Sequence, residues 1–422
     1  MRRLLVGLVA VLVAGCAWTS SASEPATVRV IMADDWASAP LVSDVIADFE
    51  QEHPGLRVQV QGSPFSQIPE LVDTAGELGQ PYDLAHWHAF AAAASGLAEP
   101  VDELWDEAGL DAEDYLPGAV RDVTWDGSRY GVPLDVNALV LMANQELLAA
   151  AGITSDDLAR VEDFADHATT LAALESTDHA VAVTASSWAA YGWIVAGGGQ
   201  LLETDADGVP VLDDRGLPSF TFDDPRTVAM IDILASLVES GAAPPPLAPD
   251  LSMDAISSFA EGRSALHASG SWDLPIARRA AQAELTEEDV LVLPLPQLEP
   301  TAPRTVLGGS SLFIPEGAPE RELAFSLALA LTELEVGLGL AEQEGRLPAR
   351  ADAYESPLFA SSPDLSAFVD QLEHAEVMPL IAYPEVAVAF RDGLDAALGG
   401  RASAEEAMAG VQEVAEQWLA EQ

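Results

Sequence analysis

Hydrophobic and polar positions follow two rhythms along the chain. Val28-Arg29-Val30-Ile31-Met32 is rich in β-formers, and Leu41, Val42, Val45, Ile46 and Phe49 then recur at helical spacing. His53-Pro54-Gly55 stops that helix, and Leu56-Arg57-Val58-Gln59-Val60 alternates as a second strand. Strand, helix, strand predicts a βαβ unit whose two strands are parallel neighbours. The pattern repeats, with a helix near 69–78 and a strand at Tyr82-Asp83-Leu84-Ala85-His86. Tyr130-Gly131-Val132-Pro133-Leu134 opens an apolar strand through Val140. Asp224-Pro225 marks a helix start, and that helix is expected to end at Gly241. Ser403-Ala404-Glu405-Glu406 is a capping box, and the helix behind it is expected to gather Ala404, Ala407, Met408, Val411, Val414, Ala415, Trp418 and Leu419 on one side. These elements predict an α/β fold.

Charge changes the picture. The 422 residues carry 69 acidic and 18 basic side chains, a net charge of −51, and every basic residue is an arginine. Without lysine there is no phosphate-cradling GKS/T loop, no pyridoxal Schiff base and no kinase-type lysine. The field has the wrong sign for nucleic acid, or for anionic lipid bound through a basic patch. The acids interleave with Ala, Val and Leu at core spacing, unlike a disordered acidic tail. GC-rich codon usage accounts for missing lysine but not for the acid surplus, which resembles that of secreted proteins from halophilic bacteria.

The N-terminus reads as an address. Arg2 and Arg3 precede the apolar run Leu4–Val13, shorter than the ~20 residues that span a bilayer, so residues 1–15 are expected to be a signal peptide. Val13-Ala14-Gly15-Cys16 resembles a bacterial lipobox, and Cys16 is the single cysteine. Cys16 is therefore the expected lipidation site, with residues 16–26 as a tether on the outer face of the cytoplasmic membrane. An ordinary signal peptide cut after Ala22 is the other reading. One cysteine excludes an intramolecular disulfide and a thiolate metal cluster.

Five stretches, taken in order, resemble the extracellular solute-binding proteins of ABC importers, in particular the sugar-binding group that includes maltose-binding proteins. Leu41–Gly55 with Leu56–Val60 is similar to the opening helix and strand of that family. Gly127–Pro133 with Leu139–Gly152 resembles its "G..YG.P … YN..L...AG" block, although Ala143 and Gln145 depart from it. Phe259–Leu266 with Gly270-Ser271-Trp272, Gly308–Pro315, and Gly345–Arg350 with Val377-Met378-Pro379 complete the series.

The resemblance implies a type II periplasmic-binding-protein-like fold of two α/β lobes joined by crossover hinge strands. Lobe 1 would take 27–136 and 306–350, and lobe 2 would take 139–304 and 352–422. It also implies a monomer that closes over a mono- or oligosaccharide and delivers it to ABC permease subunits, with no catalytic residue, cofactor or metal. A sugar offers apolar C–H faces and a rim of hydroxyls, so its receptor needs aromatic platforms and planar polar side chains.

By position in the motifs, the expected ligand-binding residues are Asp35, Trp36, Trp87, His88, Asn137, Trp188, Tyr191, Trp272, Gly309, Ser310, Arg346 and Tyr383. Trp272 and Trp87 are expected on opposite sides of the cleft, and Trp193 in the core. His86-x-His88 would put two rings on one side of a strand, as a metal pair requires, but no third ligand is visible. Asp205-Ala206-Asp207-Gly208 is half a calcium loop and reads as a hairpin turn. Two other functions compete. A secreted glycoside hydrolase would need paired carboxylates, while neither G-x-S-x-G nor H-E-x-x-H occurs. A cationic solute, polyamine or peptide, would need unpaired carboxylates in the cleft.

Overall fold

The computed structural model describes residues 26–183, 186–204, 211–246, 252–280 and 289–422. Cys16, the expected signal segment at 1–15 and the expected turn at Asp205–Gly208 lie outside them. Strands β1 (Ala26–Ala33) and β2 (Leu56–Ser63) pair in parallel from Ala26–Leu56 to Ala33–Ser63, with helix Pro40–Glu52 crossing between them. The expected strand at Tyr82 starts later, as β3 (Leu84–Trp87). Asp83 is the reason: its buried carboxylate accepts from the backbone N–H groups of Arg29 and Glu320 at 2.7 and 2.9 Å.

A short hairpin, β4 (Thr124–Trp125) and β5 (Ser128–Arg129), precedes β6 (Gly131–Ala138), β7 (Val140–Asn144), β8 (Leu266–Ser269) and β9 (Val290–Leu293). Then come β10 (Thr305–Phe313), β11 (Leu347–Pro348) and β12 (Ala375–Val377). The larger sheet runs β11-β6-β10-β3-β1-β2 with β12 on β10, and the smaller runs β8-β7-β9. The apolar run expected to continue through Val140 breaks at Leu139, where the chain leaves one sheet for the other. Thr305 sits beside that passage, its hydroxyl donating to the Leu139 carbonyl at 2.6 Å.

Two groups of buried side chains hold the fold. One joins the large sheet to one side of the small sheet, through Val140, Met142, Phe259 and Leu274. The other packs Leu139, Leu141 and Ala143 against Phe164, Trp193, Phe390 and Met408. Ala353, Phe359 and Phe368 pack with the first group, and helix Pro363–Leu372 touches both β6 of the large sheet and β9 of the small one. Helix Pro225–Glu239 begins on the Asp224 carboxylate, which accepts from Arg226 and Thr227 N–H at 2.9 and 3.2 Å. The capping box forms: Ser403 Oγ accepts from Glu406 N–H at 3.2 Å, and the Glu406 carboxylate accepts from Ser403 N–H at 3.1 Å. Each cap satisfies donors that a helix start leaves open.

Candidate functional site

A cleft of about 550 Å³ lies between the two sheets, within the range of small-molecule sites. Its floor is the antiparallel pair β6 and β10, in which Asn137 stands opposite Gly308 and Asp135 opposite Ser310. Side chains alternate along a strand, so Asp135 and Asn137 look out on the same face. Asn137 is buried, and its Oδ1 has no hydrogen-bond partner among the described residues. A buried polar atom left unpaired costs free energy, so this oxygen is a place reserved for a donor. Gly308 makes the place possible, since a Cβ there would stand 2.1 Å from Asn137 Oδ1 and 2.8 Å from the Trp188 ring. Gly309 has φ +128, and a Cβ on it would meet the Asp135 carbonyl at 2.3 Å.

A directed chain of hydrogen bonds lies behind the floor. Ala33 N–H donates to His86 Nδ1 at 3.3 Å, which puts the imidazole proton on Nε2. Nε2 lies 2.7 Å from Ser310 Oγ, and Ser310 Oγ in turn donates to Asp135 Oδ1 at 2.5 Å. Burial, with His88 adding, lowers the His86 pKa to about 3, so the ring stays neutral. Burial pushes the Asp135 carboxyl up to about 7; the Ser310 hydrogen bond pulls it down and the nearby Asp122 carboxylate raises it. Alongside, His88 Nδ1 bonds Asp122 Oδ1 at 2.7 Å, and Ser311 Oγ donates to Asp122 Oδ2 at 2.8 Å.

Aromatic rings stand on both walls. Trp36 and Phe65 come from the large-sheet side, each 5.3 Å from the His86 ring. Trp188 and Trp272 come from the small-sheet side, 5.7 Å apart and inclined by 42°. Trp188 is fixed by its indole N–H, which donates to the Leu307 carbonyl at 3.1 Å. Arg346 bridges the walls: its guanidinium carbon is 5.6 Å from the Trp36 ring centre and 5.5 Å from that of Trp272. The same guanidinium pairs with exposed Asp35 and lies 3.8 Å from Asp135 Oδ2. Burial lowers the Arg346 pKa to about 10, still well above neutrality.

Of the twelve expected residues, Asp35, Trp36, His88, Asn137, Trp188, Trp272, Gly309, Ser310 and Arg346 line this cleft. Three do not. Trp87 is the last residue of β3, next to His86, so alternation sends its ring to the face opposite His86, where it packs on both buried groups. Tyr191 is buried on helix Ser187–Ala196, and burial pushes its phenol pKa up. Tyr383 is buried between Phe220 and Trp418, with ring centres 5.5 Å away on either side. Trp193 sits in the core against Phe164, ring centres 5.3 Å apart.

Sequence reasoning missed Asp135, Phe65, Ser269 and the buried pair His267–Asp273, whose Nε2 and Oδ2 are 2.7 Å apart. The signal for Asp135 was available, because it stands two residues before Asn137 on one strand. His86 and His88 bond to Ser310 and Asp122 respectively and do not converge on a common point. Among the described residues no group of three or more His, Cys, Asp or Glu side chains could hold a metal ion.

The fold and an interlobe cleft with aromatic walls define a receptor for a small solute. The chain belongs to the bacterial extracellular solute-binding proteins, whose family model matches residues 44–367. That membership makes it a binding protein and not an enzyme. Among its relatives, the diacetylchitobiose binding protein DasA of Streptomyces coelicolor is 25% identical over 349 residues, 81% of this chain and 74% of that protein. The GacH receptor of Streptomyces glaucescens, solved unliganded and with acarbose, superposes with a TM-score of 0.79 at 21% identity, covering 93% of this chain and 98% of that one. The maltose-bound MalE3 of T. maritima gives 0.79 at 20% identity, covering 93% and 100%. The expected type II fold is thereby shown.

Proposed function

We propose that the chain is the receptor of an ABC importer, that it binds a mono- or oligosaccharide in the interlobe cleft, and that it hands the sugar on unaltered. The carrying observation is the Trp188–Trp272 pair 5.7 Å apart, facing a floor whose Asn137 Oδ1 lacks a partner among the described residues. Indole rings stack on the C–H face of a sugar, and a hydroxyl supplies the missing donor. The names of relatives agree in kind: diacetylchitobiose, acarbose and maltose are all saccharides. The cationic-solute reading is weaker, because the cleft carboxylates have partners: Asp35 has Arg346, Asp273 has His267 and Asp135 has Ser310.

The test is calorimetric titration of the mature chain with glucose, maltose, maltotriose, cellobiose and diacetylchitobiose, and with putrescine and spermidine. Reversible binding of a sugar that is recovered intact supports the reading. Binding of a polyamine alone, or turnover of the sugar, overturns it. We further propose lipid anchoring through Cys16, on the strength of Val13-Ala14-Gly15-Cys16. Cys16→Ala should then release the protein from membranes into the medium, and unchanged retention would refute the anchor.

A further inference from the structure

We propose that Asp135 is a specificity-determining residue: its Oδ2 takes a hydroxyl hydrogen of the sugar, and the His86–Ser310 relay behind it decides which oxygen is offered. This rests on the sugar reading above. The relay runs one way. Ala33 N–H occupies His86 Nδ1, so Nε2–H points at Ser310 Oγ, and the Ser310 proton has only Asp135 Oδ1 to go to. His86, Ser310 and Asp135 are all nearly inaccessible to solvent, so water does not compete for these bonds. Oδ1 is thereby committed to Ser310. Oδ2 faces Arg346, 3.8 Å away and beyond hydrogen-bond length, where both residues line the cleft.

The ionised form of Asp135 is the better acceptor, because hydrogen bonds to charged groups are worth about twice neutral ones. The groups around it are His86 and His88 from β3 and the residue after it, Asp122 from helix Pro117–Asp122, Arg346, and Tyr354 from the turn at Ala351–Glu355. A ligand hydroxyl donating to the carboxylate favours its charged form. Sugar affinity therefore rises with pH through neutrality, by up to about tenfold from pH 6 to pH 8 for a group titrating near 7.

The test measures sugar affinity by calorimetry at pH 6, 7 and 8 for the wild type, Asp135→Asn and Ser310→Ala. In Asp135→Asn the Ser310 proton holds the amide oxygen and turns the NH2 toward the cleft, so affinity should fall at least tenfold at pH 8 and lose its pH dependence. Ser310→Ala removes the bond that pulls the carboxyl down, so the midpoint of its profile should move to higher pH. That displacement would not follow from a packing defect. A flat wild-type profile, a profile retained in Asp135→Asn, or an unmoved midpoint in Ser310→Ala overturns the proposal while leaving the sugar reading intact. Failure of every sugar at every pH overturns both.

Discussion

Ser271 donates its hydroxyl to the carbonyl of Gly345 at 2.6 Å. The bond joins the segment that carries Trp272 to the one that carries Arg346, just outside the cleft that both residues line. Arg279 reinforces it, donating to the Gln343 carbonyl at 3.2 Å and to the Glu344 carboxylate at 3.1 Å. The platform and the arginine stacked on it are therefore positioned together.

Gly345 is the point where this join is most sensitive. Its φ is +67, and a Cβ would stand 2.5 Å from the Ser271 carbonyl. Gly400 has the same φ with nothing within 4 Å, which makes it the control. Gly345→Ala should cost about 1–3 kcal/mol for the left-handed backbone and more for the clash, so its loss should exceed that of Gly400→Ala. Urea unfolding of the two variants measures the difference. Equal losses would mean that the Ser271 contact yields freely.

Trp272 should matter for binding and little for folding. Its ring is half-buried against Arg346 and Trp188. Truncating a central aromatic anchor typically costs about 2 kcal/mol or more, roughly thirtyfold in affinity. Trp272→Ala is expected to weaken sugar binding by at least that factor, with the melting temperature of the ligand-free protein nearly unchanged. Calorimetry and a thermal melt on one preparation decide it; normal affinity with a large fall in stability would make the ring a core residue.

Asp135 and His86 oppose one another in the pH dependence of stability. The Asp135 carboxyl is raised from 3.8 to about 7 in the fold, so the folded state holds a proton that the unfolded state has lost, and this contribution fades as pH rises from about 4 to about 7. His86 is lowered from 6.5 to about 3, so its contribution is present above 6.5 and is lost as pH falls toward 3. Across pH 4–6.5 the two slopes run against each other. Asp135→Asn removes one of them, and its stability relative to wild type should climb from pH 4.5 to 7 and level off above. Urea unfolding across that range checks the sign; a flat difference would mean that Asp135 is already ionised in the fold at pH 4.5.

Salt should stabilise the protein. With a net charge of −51, self-repulsion strains the compact state at low ionic strength, and added ions screen it over ~10 Å at 0.1 M and ~3 Å at 1 M. The melting temperature is expected to rise from low to molar NaCl. A flat or falling curve would leave codon usage as the explanation of the composition.

The fold was legible because its strongest signals are local. The βαβ opening, the Asp224 cap and the Ser403 box each follow from residues within a few positions of one another. The site was legible in part. Trp272, Asn137 and Arg346 are carried by motifs, whereas Phe65 and the His267–Asp273 pair meet the cleft only through tertiary packing. Trp87 shows a different failure: motif position put it in the cleft, while the two-residue period of a strand allows only one of the neighbours His86 and Trp87 to face it. Tyr191 was misplaced because an aromatic near a glycine-rich turn, here Gly197-Gly198-Gly199, reads the same whether it faces ligand or core, and Tyr383, beside Pro384, carries no local signal for which way its ring faces.

The order of strands in the large sheet has a consequence for how the protein matures. Strand β10 lies between β3 and β6, and the His86–Ser310 bond closes a separation of 224 residues. Contacts so far apart in sequence carry a loop-closure cost that grows with separation. Without Thr305–Phe313 the large sheet has no central strand, the cleft no floor and Asp135 no Ser310 to orient it. The site therefore exists only in a chain whose β10 has docked.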